Sequence, residues 1–544
     1  MIFKVNKYSL LPWAIAAILT IPIIALVLSA MSFDETNTFV HLLDTVLSTY
    51  ISNTLLLIVC VMLFSFLFAM PAAWFVATCD FPMRKTLDWL LMLPLAMPPY
   101  IIAIVYTDLF DFAGPVQQWL RALFSWQNIN DYYFPDIRSL TGASLVLALA
   151  LYPYLYILLR SSFSSQSSGL FQAARTLGMS PLQAFIKVSI PLSRSAIAVG
   201  LSLIAMETLG DFATVNYFAV NTLTTAIYDT WLELGSLTTA AKLSCIMLTV
   251  LVIFVMLEKY SRRKQKAYQR NSSHFNQDPF KLFGYRKWLV VSFCWGLLFC
   301  ALFLPVSVLL YYTYHYFSVS ITSNLINYTL NSIWLALIVA SLALIVALIV
   351  NFYNRLKPSF YAKTTIRLTS LGYTIPGTVV AIGVLIPLTT LDLWLNKTLV
   401  SFGGSQVGLI LSGSLFILVL GYLVRFSAIA VGSVESSLSQ VSPSLDTASR
   451  VLGHSPLSTV KRVNLPLIKS GMLSAFILVF IESMKELPTA LLLRPFNFET
   501  LATYVYQFVS DEMIEHAALP SLMLIMLGLV PFMIVNRLLE RSNP

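Results

Sequence analysis

Long apolar runs recur along the chain, separated by shorter polar stretches. Twelve of them approach or exceed the roughly 20 residues that a helix needs to cross a bilayer. They lie at about 12–31, 52–78, 87–107, 142–160, 195–213, 239–257, 288–313, 331–351, 366–390, 406–425, 471–493 and 517–536. An even number of spans puts both chain ends on one side of the membrane. The first run, Pro12–Met31, follows Lys4 and Lys7 and has no clear small-x-small cleavage site. It reads as a first spanning helix and not as a removed signal.

The polar stretches set the orientation. With the N-terminus in the cytoplasm, the exceptions to a cytoplasmic placement among the 34 Lys and Arg are Arg121, Arg138, Lys242, Lys397, Lys485 and Arg494. That bias fixes the expected sidedness, with both termini inside. The opposite loops hold Asp34, Glu35, Asp44, Asp108, Asp111, Asp131 and Asp136, as they would if these acids did no more than solvate them. The basic stretch 258–287 lies between two runs. There it reads as a cytoplasmic linker whose charge serves topology or an anionic-lipid contact, and not as a nucleic-acid patch. The expected organisation is a six-helix half over 1–260, a linker over 261–287 and a second six-helix half over 288–544.

Composition narrows the class further. Of 544 residues, 58% are apolar and 11% charged, and the mean hydropathy is +0.79. Soluble domains are about a quarter charged. A soluble enzyme, a disordered chain and a nucleic-acid-binding module are excluded, and an all-α polytopic membrane protein is expected. Cys60, Cys79, Cys245, Cys294 and Cys300 form neither a CxxC nor a disulfide framework. His41, His274, His315, His454 and His516 show no metal-ligand spacing. The chain has no Gly-Lys dipeptide, hence no P-loop, and no HExxH. No catalytic residue, no resident cofactor and no stable metal site is expected. The work of any active transport would have to come from a partner.

The two halves repeat. Residues 173–192 match 448–467 at an offset of 275, with ten identities in twenty positions. Matched Gly, Pro, Ser and Arg cannot follow from shared apolar composition. The same offset pairs Glu207 with Glu482 and Asp211 with Glu486, and an offset of 278 pairs Asn53 with Asn331 and Pro98 with Pro376. Six spans per half make the repeats parallel, related by an axis along the membrane normal.

The matched segment reads as helix, turn, helix in both copies. Gly178 and Gly453 suit the left-handed position that ends a helix. Ser180 and Ser455 suit the next N-cap, with Pro181 and Pro456 behind them at the first helical position. Pro191 and Pro466 end that helix, where the chain re-enters the membrane. In the first copy Leu182, Phe185, Ile186 and Ile190 share a face, with Arg175 and Lys187 nearby. One such helix could simply lie on the bilayer. Two copies, one per half, point to a partner with two equivalent grooves.

These loops resemble the "EAA" loops of ABC importer permeases, which form the coupling helices that dock on cytoplasmic ATPases. The Glu-Ala-Ala…Gly pattern maps onto Gln172, Ala173, Ala174 and Gly178, and again onto Thr447, Ala448, Ser449 and Gly453. Both copies lack the Glu. The stretches 100–117, 132–140, 372–388 and 484–506 narrow the resemblance to the fused two-half permeases of bacterial ferric iron importers. It implies a type I ABC importer fold in the inner membrane, with permease cores over about 49–258 and 327–536. It also implies two ATPase subunits and a periplasmic iron-binding protein as partners. The coupling residues it implies are Ala173, Ala174, Arg175, Gly178, Pro181, Phe185, Pro191, Ala448, Arg450, Gly453, Pro456 and Pro466.

Ionisable groups inside a bilayer cost about 2.5–3.5 kcal/mol each on insertion scales. Glu207 and Asp211 fall in or at the end of the fifth run, and Glu482, Lys485 and Glu486 in the eleventh. Spaced four apart, 207 and 211 would share a helix face, as would 482 and 486. Two readings fit. Either the acids line a central path, or Lys485 pairs with one of them and the rest are solvated at the membrane face. Ferric iron, a hard cation, favours carboxylate and phenolate oxygens, and Tyr106 and Asp108 are candidates for the outer mouth. Pro94, Pro98, Pro99, Pro376 and Gly377 mark either a gate or ordinary kinks. The competing classes are a permease of the same architecture for thiamine, a polyamine or an anion, an ion-gradient-driven secondary transporter, and a membrane scaffold. The repeated loop has no evident use in the secondary transporter, and the scaffold would not need matched acids in the membrane.

Overall fold

The structure is a computed structural model that describes residues 7–32, 37–166, 173–262 and 280–542. Lys4, Asp34, Glu35, Gln172 and the linker from 263 to 279 lie outside the described residues. In the first half the main helices are α1 (Lys7–Ala30), α2 (Leu47–Thr78), α3 (Pro99–Phe110), α4 (Leu140–Ser164), α5 (Arg194–Gly210) and α6 (Leu237–Arg262). In the second they are α7 (Tyr285–His315), α8 (Leu325–Leu356), α9 (Gly377–Ser401), α10 (Leu415–Ser439), α11 (Lys469–Lys485) and α12 (Ile514–Ser542). Among the described residues nine helices are long and apolar enough to cross a membrane, and three bent pairs raise the number to as many as 12.

The two halves are built alike down to single hydrogen bonds. Asn53 donates to the Asn221 carbonyl at 3.0 Å, and Asn331 to the Glu499 carbonyl at 3.2 Å. The Leu223 N–H donates to Thr54 Oγ1 at 2.9 Å, and the Leu501 N–H to Ser332 Oγ at 2.6 Å. Each of these pairs is related by the offset of 278. Asn in an apolar run is costly unless its amide is used, and here it fastens a helix to the loop of its own half.

The halves are also interleaved. Helix α1 lies against α9 and the helix Phe360–Thr369, while α7 reaches α3 and α2. The two large hydrophobic cores therefore mix residues of the two halves. Close contact needs small residues, as is usual where helices meet in lipid. A Cβ on Gly383 of α9 would stand 2.9 Å from the Pro22 carbonyl of α1. The reciprocal contact carries a hydrogen bond, from Tyr106 Oη of α3 to the Cys300 carbonyl of α7 at 2.9 Å. Past the linker, strand β2 (Phe280–Lys281) pairs in parallel with β1 (Cys79–Asp80), tying the start of the second half to a loop of the first.

Four expected spans are broken. The third bends by 93° between Arg84–Ala96 and Pro99–Phe124, with Pro98 extended at φ −61° and ψ 134°. The ninth breaks at its counterpart, Pro376, with φ −54° and ψ 145°. Proline forces the preceding residue out of the helical region and removes a donor. The expected helices 195–213 and 471–493 stop at Gly210 and Lys485, where Asp211 and Glu486 take extended backbone angles. The shared helix face expected for 207 with 211, and for 482 with 486, is corrected accordingly.

Gly372, just before the ninth-span break, sits against α10. A Cβ there would stand 1.7 Å from the Val424 carbonyl oxygen, a backbone atom that cannot turn aside. Gly372→Ala is therefore expected to destabilise the folded protein by about 1–3 kcal/mol, the usual cost of overpacking. Thermal unfolding in detergent checks it, and an unchanged melting temperature would contradict the close approach.

Candidate translocation site and coupling loops

The broken helices surround a cavity of about 90 Å³. Glu207 and Asp211 face it from the first half, and Glu482, Lys485 and Glu486 from the second. The breaks contribute Met97, Pro98 and Pro99, and α4 contributes Tyr154. Thus the structure brings together all five candidate pathway residues.

Their bonding divides them into two kinds. Asp211 and Glu486 cap helices. The Asp211 carboxylate accepts from the Thr214 N–H and Oγ1, each at 2.9 Å, at the start of the short helix Ala213–Tyr217. Glu486 Oε1 accepts from the Thr489 N–H at 3.1 Å and from Thr489 Oγ1 at 2.5 Å, at the start of Pro488–Leu493. These bonds hold the two acids off the helices that precede them. Glu207 and Glu482 stand one turn earlier, within α5 and α11. Tyr154 Oη donates to Glu207 Oε1 at 3.5 Å, and Lys485 Nζ lies 2.9 Å from Glu482 Oε1.

Arg425 of α10 was not among the sequence candidates, yet it lines the same cavity. Its Nη1 lies 3.3 Å from Glu486 Oε1, and both side chains are largely buried. The apolar run 406–425 places this arginine at its cytoplasmic edge. The helix continues to Ser439, through small residues that hydropathy alone does not extend.

Tyr106 and Asp108 lie elsewhere. Tyr106 is 6% exposed and spends its hydroxyl on the Cys300 carbonyl. Asp108 accepts from Tyr312 Oη at 3.0 and 3.1 Å. Neither lines the cavity, because α7 covers this flank of α3.

The repeated loops have the expected helix-turn-helix form. Gly178 and Gly453 both have φ +84°, with open space where a Cβ would be. Ser180 accepts from the Gln183 N–H and Ser455 from the Ser458 N–H, with Pro181 and Pro456 at the helix starts. Each helix then widens into a π turn, Phe185–Ser189 or Val460–Asn464, ahead of Pro191 or Pro466. A wide turn accommodates a proline that would otherwise clash with the carbonyl four residues back. The chain bends by 70° into α5 and by 73° into α11. Ala173, Arg175, Ala448 and Arg450 are exposed, and Ala174 is buried. The exposed apolar side chains include Leu177 and Leu182 in one loop and Leu452 and Leu457 in the other. Phe185 is not part of that surface. Its ring packs 4.6 Å from Trp74 and 6.0 Å from Phe163, because the wide turn rotates it inward.

The binding-protein-dependent transport system inner membrane component family matches this chain twice, over residues 65–266 and 343–543. The chain belongs to that family. It is a fused two-half ABC permease, a multi-pass protein of the inner membrane. It is similar to the Fe(3+)-transport system permease protein FbpB 2 of Haemophilus influenzae, 23% identical over 523 residues, which cover 95% of this chain and 96% of that protein. It is 22% identical over 443 residues to the ferric transport system permease protein FbpB of Actinobacillus pleuropneumoniae, covering 77% of this chain and 61% of that one. The molybdenum transport system permease protein ModB of Escherichia coli is 28% identical over 207 residues, covering 37% of this chain and 87% of that protein. In this permease, then, the cavity lies where both family repeats break their helices, and the bends below it lead directly to the paired loops.

Proposed function

We propose that this permease carries ferric iron from a periplasmic binding protein across the inner membrane, driven by separate ATPase subunits. The observation that carries the reading is the cavity's charge. Four carboxylates face it against two cations, Arg425 and Lys485, so a full complement of ionised groups leaves it negative. A hard, highly charged cation is the cargo that carboxylate and phenolate oxygens suit best. The ATPases dock on 173–191 and 448–466, which face the cytoplasm together with both termini. Their closure moves α5 and α11 through the two bends and opens the cavity outward, and hydrolysis returns it inward. The near full-length similarity to a permease named for Fe(3+) supports the same cargo.

A second reading, an oxyanion cargo, is favoured by Arg425 and Lys485 and by the partial similarity to a permease named for molybdenum. Uptake of radiolabelled ferric iron, molybdate and thiamine in cells with and without the gene tests both. Loss of iron uptake alone is expected. Loss of molybdate uptake with intact iron uptake would replace the first reading by the second.

A further inference from the structure

The cavity is less symmetric than the fold around it. The offset of 275 sets Ala150 against Arg425 and Gly210 against Lys485, and all four residues line the cavity. Among the described residues each half supplies two carboxylates, but only the second half supplies cations. These two cations are held differently. Arg425 is a planar fork, 3.3 Å from Glu486 and with its guanidinium 5.7 Å from the Phe426 ring centre. Gly377 lies hard against it, since a Cβ there would stand 2.3 Å from Nη1. Lys485 is a point charge on a flexible stem. It is the last residue of α11, beside the break, and its partner Glu482 is on its own helix. On the first-half side Gly210 presents no side chain, and the nearest atom to a Cβ there would be 3.7 Å away.

We propose that Lys485 is a tethered counter-ion. In the unloaded permease its ammonium stands in for the cargo among the carboxylates, and an arriving cation displaces it. The proposal rests on the cationic-cargo reading above and adds a selection rule. Carboxylates in a low-dielectric cavity are too costly to leave without positive charge. A resident ammonium covers that cost, so a free cation gains only by the difference between itself and the lysine. Coulomb attraction scales with charge. A monovalent ion therefore gains little by exchange, whereas a trivalent ion gains on every carboxylate. Lys485 thus rejects sodium and potassium without needing a tight binding site for iron. When the cargo leaves, the lysine returns to Glu482, which assists release.

Terbium luminescence tests this on the full-length permease in detergent. Tb³⁺ is a hard trivalent cation, and tyrosine sensitises its emission at short range. Tyr100 and Tyr154 line the cavity. Wild-type protein is expected to bind Tb³⁺, and Glu207→Gln to lose most of the signal. Lys485→Gln is expected to lower the half-saturating Tb³⁺ concentration by about tenfold, the factor that corresponds to about 1.4 kcal/mol. It should also make Tb³⁺ binding sensitive to potassium, and Lys485→Arg should stay near wild type. Elution as a single monodisperse species confirms that each variant is folded. Unchanged or weaker Tb³⁺ binding by folded Lys485→Gln would make Lys485 only a structural partner of Glu482, and the cargo reading would stand. Absence of Glu207-dependent binding in both wild type and Lys485→Gln would overturn the cationic-cargo reading, and the counter-ion with it.

Discussion

Replacing Gly178 and Gly453 together by aspartate is expected to abolish cargo uptake while leaving the permease inserted and folded. Both glycines have φ +84°, where an L-residue costs about 1–2 kcal/mol. Nothing stands within 4 Å of the added Cβ, and aspartate tolerates this region better than most residues. The fold should survive. What changes is the surface. Each carboxylate would appear at a helix C-terminus, where the dipole disfavours it. It would also stand beside Leu177 or Leu452, among the apolar side chains these loops expose. A desolvated charge in an apolar interface is penalised on both sides of it. Uptake and permease-stimulated ATP hydrolysis, measured with the ATPase co-expressed, should both fall by at least about tenfold for a loss above 1.4 kcal/mol. The pair Gly178→Ala and Gly453→Ala carries the backbone strain without the charge and should retain most activity. If the alanine pair is as defective as the aspartate pair, strain and not docking explains the loss. Wild-type uptake in the aspartate pair would remove the loops from coupling.

The paired loops were legible in the sequence because their signals are local. A left-handed glycine, a serine cap and a proline behind it each act within one turn, so spacing alone specifies the shape. The repeat added what a single copy lacks. Matched Gly, Pro and Ser at one offset distinguish a built feature from a surface helix. Even there the register of one side chain was lost. A regular helix would expose Phe185 beside Leu182 and Ile186. The π turn ahead of Pro191 turns it onto Trp74, and a 3.6-residue period cannot anticipate that.

The cavity was legible only in part, for a different reason. Charges within apolar runs announce themselves by their cost, which is how Glu207, Asp211, Glu482, Lys485 and Glu486 were found. Arg425 carries the same cost but was hidden by a boundary. Hydropathy falls through 426–439, where Ser, Gly432 and Glu435 interrupt the apolar pattern although the helix runs on to Ser439. Tyr106 and Asp108 lie off this cavity, bonded to α7. Position along the third span placed them near an outer mouth, but the tertiary exchange that lays α7 over α3 is not written in either segment by itself.

The division of the four acids into two helix caps, Asp211 and Glu486, and two carboxylates within helices, Glu207 and Glu482, leads to opposite phenotypes for substitutions of the same size. Glu486→Gln is expected to reduce the amount of folded permease. Glu486 caps Pro488–Leu493 through Thr489 and pairs with a largely buried Arg425. Removing one member of a buried pair costs about 3–5 kcal/mol, because the other charge stays behind. Asp211→Asn should be milder, since Asn also caps well and its loss is of the order of 1 kcal/mol or less. Glu207→Gln is expected to leave the folded amount near wild type and to lower iron uptake by more than about tenfold, a loss above 1.4 kcal/mol at the cavity itself. Glutamine keeps the shape and can still accept from Tyr154, so packing in α5 is preserved while the charge is removed. Detergent-extracted permease measured by size exclusion, alongside uptake normalised to that amount, separates the two effects. If Glu207→Gln lost protein and not specific uptake, the acid would be a structural group. If Glu486→Gln kept full protein levels, the Arg425 pair would not be what holds the broken eleventh span in place.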